Sequence, residues 1–139
     1  MIRIFLTLLT TLILGFCAAS YAHKDATSIV KERMDLFKKS QQDIKALYAS
    51  IRSDELEDIR ANAVALAQWG AVMPDYFPEG SGGGVSEASA EIWKDFDGFK
   101  DAAKTFELAA LSVVAAVDQG DKEAIISAAK SVGDSCKSC

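Results

Sequence analysis

From about Asp25 to Ile51, apolar side chains return at alternating steps of four and three. The stripe is Val30, Met34, Phe37, Ile44, Tyr48 and Ile51, with Gln41 in the same register. That spacing predicts an amphipathic helix with one face turned to a bundle. Ser53 is placed to cap a second helix, with Asp54 and Glu55 in its first turn near the positive end of the dipole. Its stripe is Leu56, Ile59, Ala63 and Leu66, and it ends near Trp69-Gly70, ahead of the break at Met73-Pro74. Residues 74–88 hold a glycine cluster that cannot lie inside a helix. A third helix repeats the spacing through Ile92, Phe96, Phe99, Ala103, Phe106, Ala110, Val113 and Val117, with Gly98 a possible bend and Gly120 a stop. Asp121 caps a fourth, whose stripe is Ile125, Ala129, Val132, Cys136 and Cys139. No period-two alternation is long enough for a sheet. The fold class expected is all-α, an antiparallel up-down-up-down four-helix bundle with its last helix truncated.

Ahead of the bundle lies a different pattern. Met1-Ile2-Arg3 is a short positive start, residues 4–16 are mostly apolar, and Ser20-Tyr21-Ala22 places small residues at the cleavage positions before His23. Residues 1–22 are therefore expected to be a secretory signal peptide, and residues 23–139 the bundle domain. A membrane anchor is the competing reading, but the apolar run is short of the ~20 residues needed to span. Cys17 raises the thought of a lipoprotein. The bulky Phe16 before it argues against that processing. The expected compartment is the periplasm, with no membrane attachment after cleavage. There the chain keeps Cys136 and Cys139 as its only cysteines.

Composition narrows the chemistry. Of 139 residues half are hydrophobic and a quarter charged, which suits a globular domain. The net charge of −5 includes Arg3 of the leader, so the remainder is more acidic still, and no nucleic-acid partner is expected. A single histidine removes most triad and multi-histidine metal chemistry.

What is left is Cys136-Lys137-Ser138-Cys139, a C-x-x-C whose thiols share a helix face and continue the inward stripe. A redox pair of the thioredoxin kind sits at a helix N-terminus, and this one sits at the far end. Structural zinc wants four ligands, and the chain has no second cysteine pair. Thioether attachment of a haem uses C-x-x-C-H. On residues alone, a haem site and a pair of terminal thiols joined as a disulfide both remain open.

Several stretches in order resemble the class II c-type cytochromes, the cytochrome c prime family. They are Arg33 with Phe37 four residues on, the loop from Met73 to Ser81, Glu91-Ile92-Trp93 followed by Phe99, Gly120-Asp121, and Val132 to Cys139. Together they cover residues 28–139. The resemblance implies haem c held covalently by Cys136 and Cys139 between the helices. It places Arg33 near a haem propionate, where a guanidinium fork suits a carboxylate. The plain alternative for Arg33 is a solvated surface side chain. Phe37 falls where some members carry methionine. Phenylalanine offers the iron no lone pair, so the sixth position would stay open to a small diatomic such as nitric oxide. Read without the family, Phe37 is core. Met34 is a candidate sixth ligand if the register shifts, and otherwise core filler. Met73, Trp69 and Trp93 read as packing. In the family the proximal histidine follows the second cysteine at once. The stretch given stops at Cys139, so a truncated sequence is expected and no metal ligand is named within it. His23 is not expected to substitute.

The leading expectation is an exported haem protein for single-electron transfer, for binding small gases, or both, and not an enzyme. It would work with a redox partner protein, and the resemblance is compatible with a homodimer through the first two helices. A haem-free exported bundle with a terminal disulfide is the alternative. A thiol-exchange enzyme is disfavoured by the position of the cysteines.

Overall fold

The structure is a computed structural model that describes residues 19–137. Residues 1–18, which carry most of the expected leader and Cys17, lie outside it. So do Cys139 and the side chain of His23. The described residues form helices and turns with no strand. The helices are α1 (Ala19–Ser53), α2 (Leu56–Val72), a short α3 (Glu91–Lys94), α4 (Phe96–Gln119) and α5 (Lys122–Cys136), with a 3-10 turn at Met73–Tyr76 after α2. α2 packs on α1 and α4, and α4 on α5, while α1 and α5 touch only narrowly. This is the expected antiparallel four-helix bundle with one loosely closed side.

The caps explain the boundaries. α1 does not hand over to α2 through a Ser53 cap. Ser53 ends α1, with its hydroxyl on the carbonyls of Ala49 and Ser50. Asp54 then takes a left-handed conformation at φ 60°, the Asp54 N–H donates to Ile51 O, and the Glu55 N–H donates to Ser50 O. That is a Schellman closure with aspartate in the place glycine usually fills. The Asp54 carboxylate is held by Lys122 at 2.5 Å, which ties this corner to the start of α5. Asp95, not Gly98, breaks the third helix. Its carboxylate accepts from the Gly98 N–H at 3.0 Å and caps α4. Gly98 is small because a Cβ there would collide with that carboxylate. Gly120 at φ 67° and the Asp121 cap on Ala124 N–H stand as expected.

The core runs through Leu47, Ile59, Leu66, Phe106, Val113, Ile125 and Val132, with Ala63, Ala103, Ala110 and Ala129 where helices come close. Gly70 marks the tightest approach. A Cβ there would stand 2.9 Å from the Glu107 Cα. Neither backbone can yield without moving α2 off α4, so Gly70→Val is expected to cost about 2 kcal/mol. Urea unfolding checks this, with the midpoint falling and the slope unchanged.

The inward face of α1 is rotated from the one expected. Val30, Phe37, Ile44 and Ile51 do point inward or pack on the core. Between them the buried positions are Arg33, Ser40 and Leu47, whereas Met34 is 50% exposed, Gln41 is exposed, and Tyr48 lies at the flank with its hydroxyl on α5. A helix offers two neighbouring choices at each half turn. Hydrophobicity favoured Met34 over Arg33. Arg33 wins because the chain after α2 supplies it with hydrogen-bond acceptors.

Candidate functional site

Arg33 is 3% exposed. Its Nη1 donates to Tyr76 O and Ser81 Oγ, both at 3.1 Å, and its Nη2 to Ser81 O at 3.0 Å and Ser86 Oγ at 2.6 Å. The guanidinium carbon stands 4.3 Å from the centre of the Phe77 ring. It is therefore no solvated surface arginine. All four of these acceptors are neutral. Burial pulls the guanidinium below its ordinary pKa, yet arginine stays charged at neutral pH. The positive charge is thus buried on hydrogen bonds and an aromatic face, with no carboxylate among those partners.

These bonds turn the glycine-rich stretch into an ordered loop. The Trp93 indole N–H donates to Phe77 O and Pro78 O at 3.1 and 3.0 Å. Gly82 lies so close to that indole that a Cβ would come within 2.9 Å of it. Gly80, Gly83 and Gly84 take positive φ and carry the chain round the corner. Ser81 is buried, and Ser86 Oγ also accepts from the Ala88 N–H.

Around Arg33 sits an aromatic cluster. Phe37 is half-buried and packs edge-on against Trp69 at 5.2 Å and Phe77 at 6.3 Å. Phe77 meets Phe99 at 4.6 Å, and Trp69 meets Tyr76 at 5.6 Å. Trp69 is 6% exposed, and its indole N–H is buried with no hydrogen-bond partner among the described residues. Met73 is buried in the core.

Cys136 closes α5 and is exposed. The expected inward stripe is corrected here as well. Ser135 holds the buried position, with its hydroxyl turned back on Val132 O at 2.9 Å, and Cys136 lies beside it at the helix edge. The next turn inward from Val132 falls on residue 135 or 136. The small hydroxyl takes it because it can satisfy itself on its own helix. Lys130 beside Asp134 holds that carboxyl below its ordinary range, so the outer side of this turn is charged. α5 runs antiparallel to α1. Lys122 begins at Asp54, and the Tyr48 hydroxyl donates to Ala129 O at 2.9 Å. Seven residues past Ala129, about 10 Å along the axis, Cys136 is in the half of the bundle that holds Phe37 and Arg33.

A family model described as cytochrome C′ matches residues 28–139. The chain belongs to the cytochrome c′ family. It is 34% identical over 118 residues to the cytochrome c′ of Rhodospirillum rubrum, covering 83% of this chain and 80% of that one. The fold superposes on cytochrome c′ of Thermochromatium tepidum with a TM-score of 0.74 at 21% identity, over 82% of this chain and 92% of that one. The recombinant native cytochrome c prime of Alcaligenes xylosoxidans gives 0.72 at 27% identity, over 82% and 91%.

Cytochromes c′ bind covalently attached haem c and serve electron transfer or gas binding. The residues here fit such a group. A buried cation with no carboxylate among its hydrogen-bond acceptors and an orphaned indole N–H lie in one aromatic cluster, and α1 and α5 touch only narrowly. Among sequence-predicted positions, the structure brings together Arg33, Phe37 and Trp69, and turns Met34 outward. It adds Tyr76, Ser81 and Ser86 as the partners of Arg33. The family-like loop from Met73 to Ser81 contains Tyr76 and Ser81 without giving them a role, and Ser86 lies beyond it.

Proposed function

We propose that this chain is an exported, periplasmic cytochrome c′ in which Cys136 and Cys139 carry the haem beside Phe37 and Arg33. When bound, the haem would supply an iron able to take up or release one electron and to bind a small gas. The chain's own residues set the surroundings. Cys136 and Cys139 pin the porphyrin edge. Phe37 presents an apolar ring with no lone pair, which would disfavour water and anions beside the iron and still admit a neutral diatomic. Arg33 adds positive charge near the haem carboxylates. No residue here reads as turning over a substrate. The observation that carries the reading is the joint placement of Arg33, Phe37 and the α5 C-terminus in one half of the bundle. A variant of the Alcaligenes xylosoxidans protein has been described with bound nitric oxide, and that favours gas binding as part of the role.

A redox partner protein completes the electron-transfer reading. A homodimer through α1 and α2 draws support from Met34, Tyr48, Leu56 and Val72, apolar side chains that these two helices leave exposed. Another cytochrome c′, 19% identical with a TM-score of 0.75, is described as showing ligand-controlled dimer dissociation. No helix among the described residues is long and apolar enough to cross a membrane.

The test is the mass of the protein from its own cells under denaturing conditions, with its visible spectrum after acid–acetone extraction. The expected result is a chain heavier by one haem whose colour stays with the protein. A mass matching the polypeptide alone, or the polypeptide less two hydrogens, would overturn the reading in favour of a haem-free bundle with a terminal disulfide.

A further inference from the structure

Trp69 and Arg33 present a division of labour that neither residue type suggests alone. Four of the five N–H donors of the Arg33 guanidinium, those on Nη1 and Nη2, are committed to the loop, on Tyr76 O, Ser81 O, Ser81 Oγ and Ser86 Oγ. Two tryptophans lie near, and they differ. The Trp93 indole N–H is bonded to two carbonyls. The Trp69 indole N–H is buried and bonded to nothing among the described residues. An unpaired buried donor costs about 1–3 kcal/mol, and folded proteins rarely keep one. The rings packed on it, Phe37 and Tyr76, offer an N–H no carbonyl or carboxylate at their faces. A bound group that brings an acceptor would satisfy it. The neighbouring cation says what kind. Arg33 reaches the same cluster through Phe77 and the Tyr76 backbone, and its charge faces only neutral acceptors. A buried positive charge and a free donor in one apolar cluster favour an oxyanion, and a carboxylate is the oxyanion that haem carries.

We propose that the Trp69 indole N–H, rather than the Arg33 guanidinium, is the hydrogen-bond donor to a haem carboxylate. Arg33 acts on that carboxylate as a positioning residue, through its charge and through the loop it holds. This inference rests on the haem reading given above.

The test is ultraviolet resonance Raman of the haem-loaded protein, read at the band that reports indole N–H bonding. Trp69→Phe and Trp93→Phe assign the two indoles, and Trp93 serves as the bonded reference. The expected result is a bonded signature for both. A second readout is the pH dependence of the reduction potential. A donated hydrogen bond lowers a carboxylate pKa, so Trp69→Phe is expected to move the carboxylate inflection up by about one pH unit. A haem-loaded protein whose Trp69 N–H is unbonded, or whose inflection stays put in Trp69→Phe, overturns the inference and leaves the haem reading standing. A protein that carries no haem overturns both. Should Trp69→Phe fail to fold, the Raman signature of the unsubstituted protein decides, with Trp93→Phe alone as the assignment.

Discussion

Arg33→Met is expected to destabilise the folded chain by about 3 kcal/mol, read from urea unfolding. Each hydrogen bond from a charged donor contributes roughly 1.5–3 kcal/mol, and four are lost. Against that stands the relief of no longer burying a cation, a penalty of several kcal/mol for an ion taken out of water. The first effect wins because two backbone carbonyls, Tyr76 O and Ser81 O, lose their donor in a closed environment. Methionine keeps much of the length and the apolar contact with Phe77, so the change reports the guanidinium and not a cavity. Lysine cannot fork to four acceptors, and Arg33→Lys is expected to recover less than half of the loss. Limited proteolysis gives the local counterpart. Cleavage within residues 79–84 should become faster in Arg33→Met, because the ties that order the loop are gone. A change below about 0.5 kcal/mol, the ordinary range of a surface substitution, would show that the loop is ordered without Arg33.

Phe77→Ala is the second large effect, at about 3–5 kcal/mol. The ring is 3% exposed and lies against Phe99, Phe37 and Trp93, with Arg33 on its face. Removing it opens a cavity that the surrounding rings cannot fill, since each is held by its own helix or by the loop. Arg33 and Phe77 share a contact, so their effects should not add. The double variant is expected to lose less than the sum, with a coupling of about 0.5–2 kcal/mol in a double-mutant cycle. Because Phe77 packs on Phe37, the cavity would also loosen the residue read as crowding the sixth position. Gas affinity of the haem-loaded protein should then rise together with the loss of stability. The mutation would separate the two readings of Phe37. A ring that is core alone would leave gas affinity unmoved.

Much of the fold was legible from apolar spacing. Ile59, Ala63, Leu66, Ala103, Phe106, Ala110, Val113, Ile125, Ala129 and Val132 were all in the expected stripes and are all buried. Helices of a bundle bury one face each, and a period near 3.6 reports that face directly. Spacing failed where two adjacent positions could both turn inward. Met34 and Cys136 are more apolar than Arg33 and Ser135, and apolarity misdirected both choices. Arg33 is buried by acceptors on a loop 43 to 53 residues away in sequence. Ser135 is buried by its own helix. No one-dimensional pattern carries either compensation.

The candidate site divides in the same way. Sequence by itself determined the four long helices and their order, the stop at Gly120 and the cap at Asp121, but not the break at Asp95 that sets the short α3 apart. It also singled out the C-x-x-C and, through an ordered set of family-like stretches, the residues of interest on α1. Those are local matters of propensity, capping and spacing, and each is decided within a few residues. Only the tertiary structure decided that the glycine-rich stretch is an ordered loop, that Arg33 is its organiser, and that Trp69 and not Trp93 holds a free buried donor. Hydrogen-bond satisfaction is a property of what surrounds a group in space. Two tryptophans that look alike in the chain therefore differ in the fold, because one meets the carbonyls of Phe77 and Pro78 and the other meets only rings.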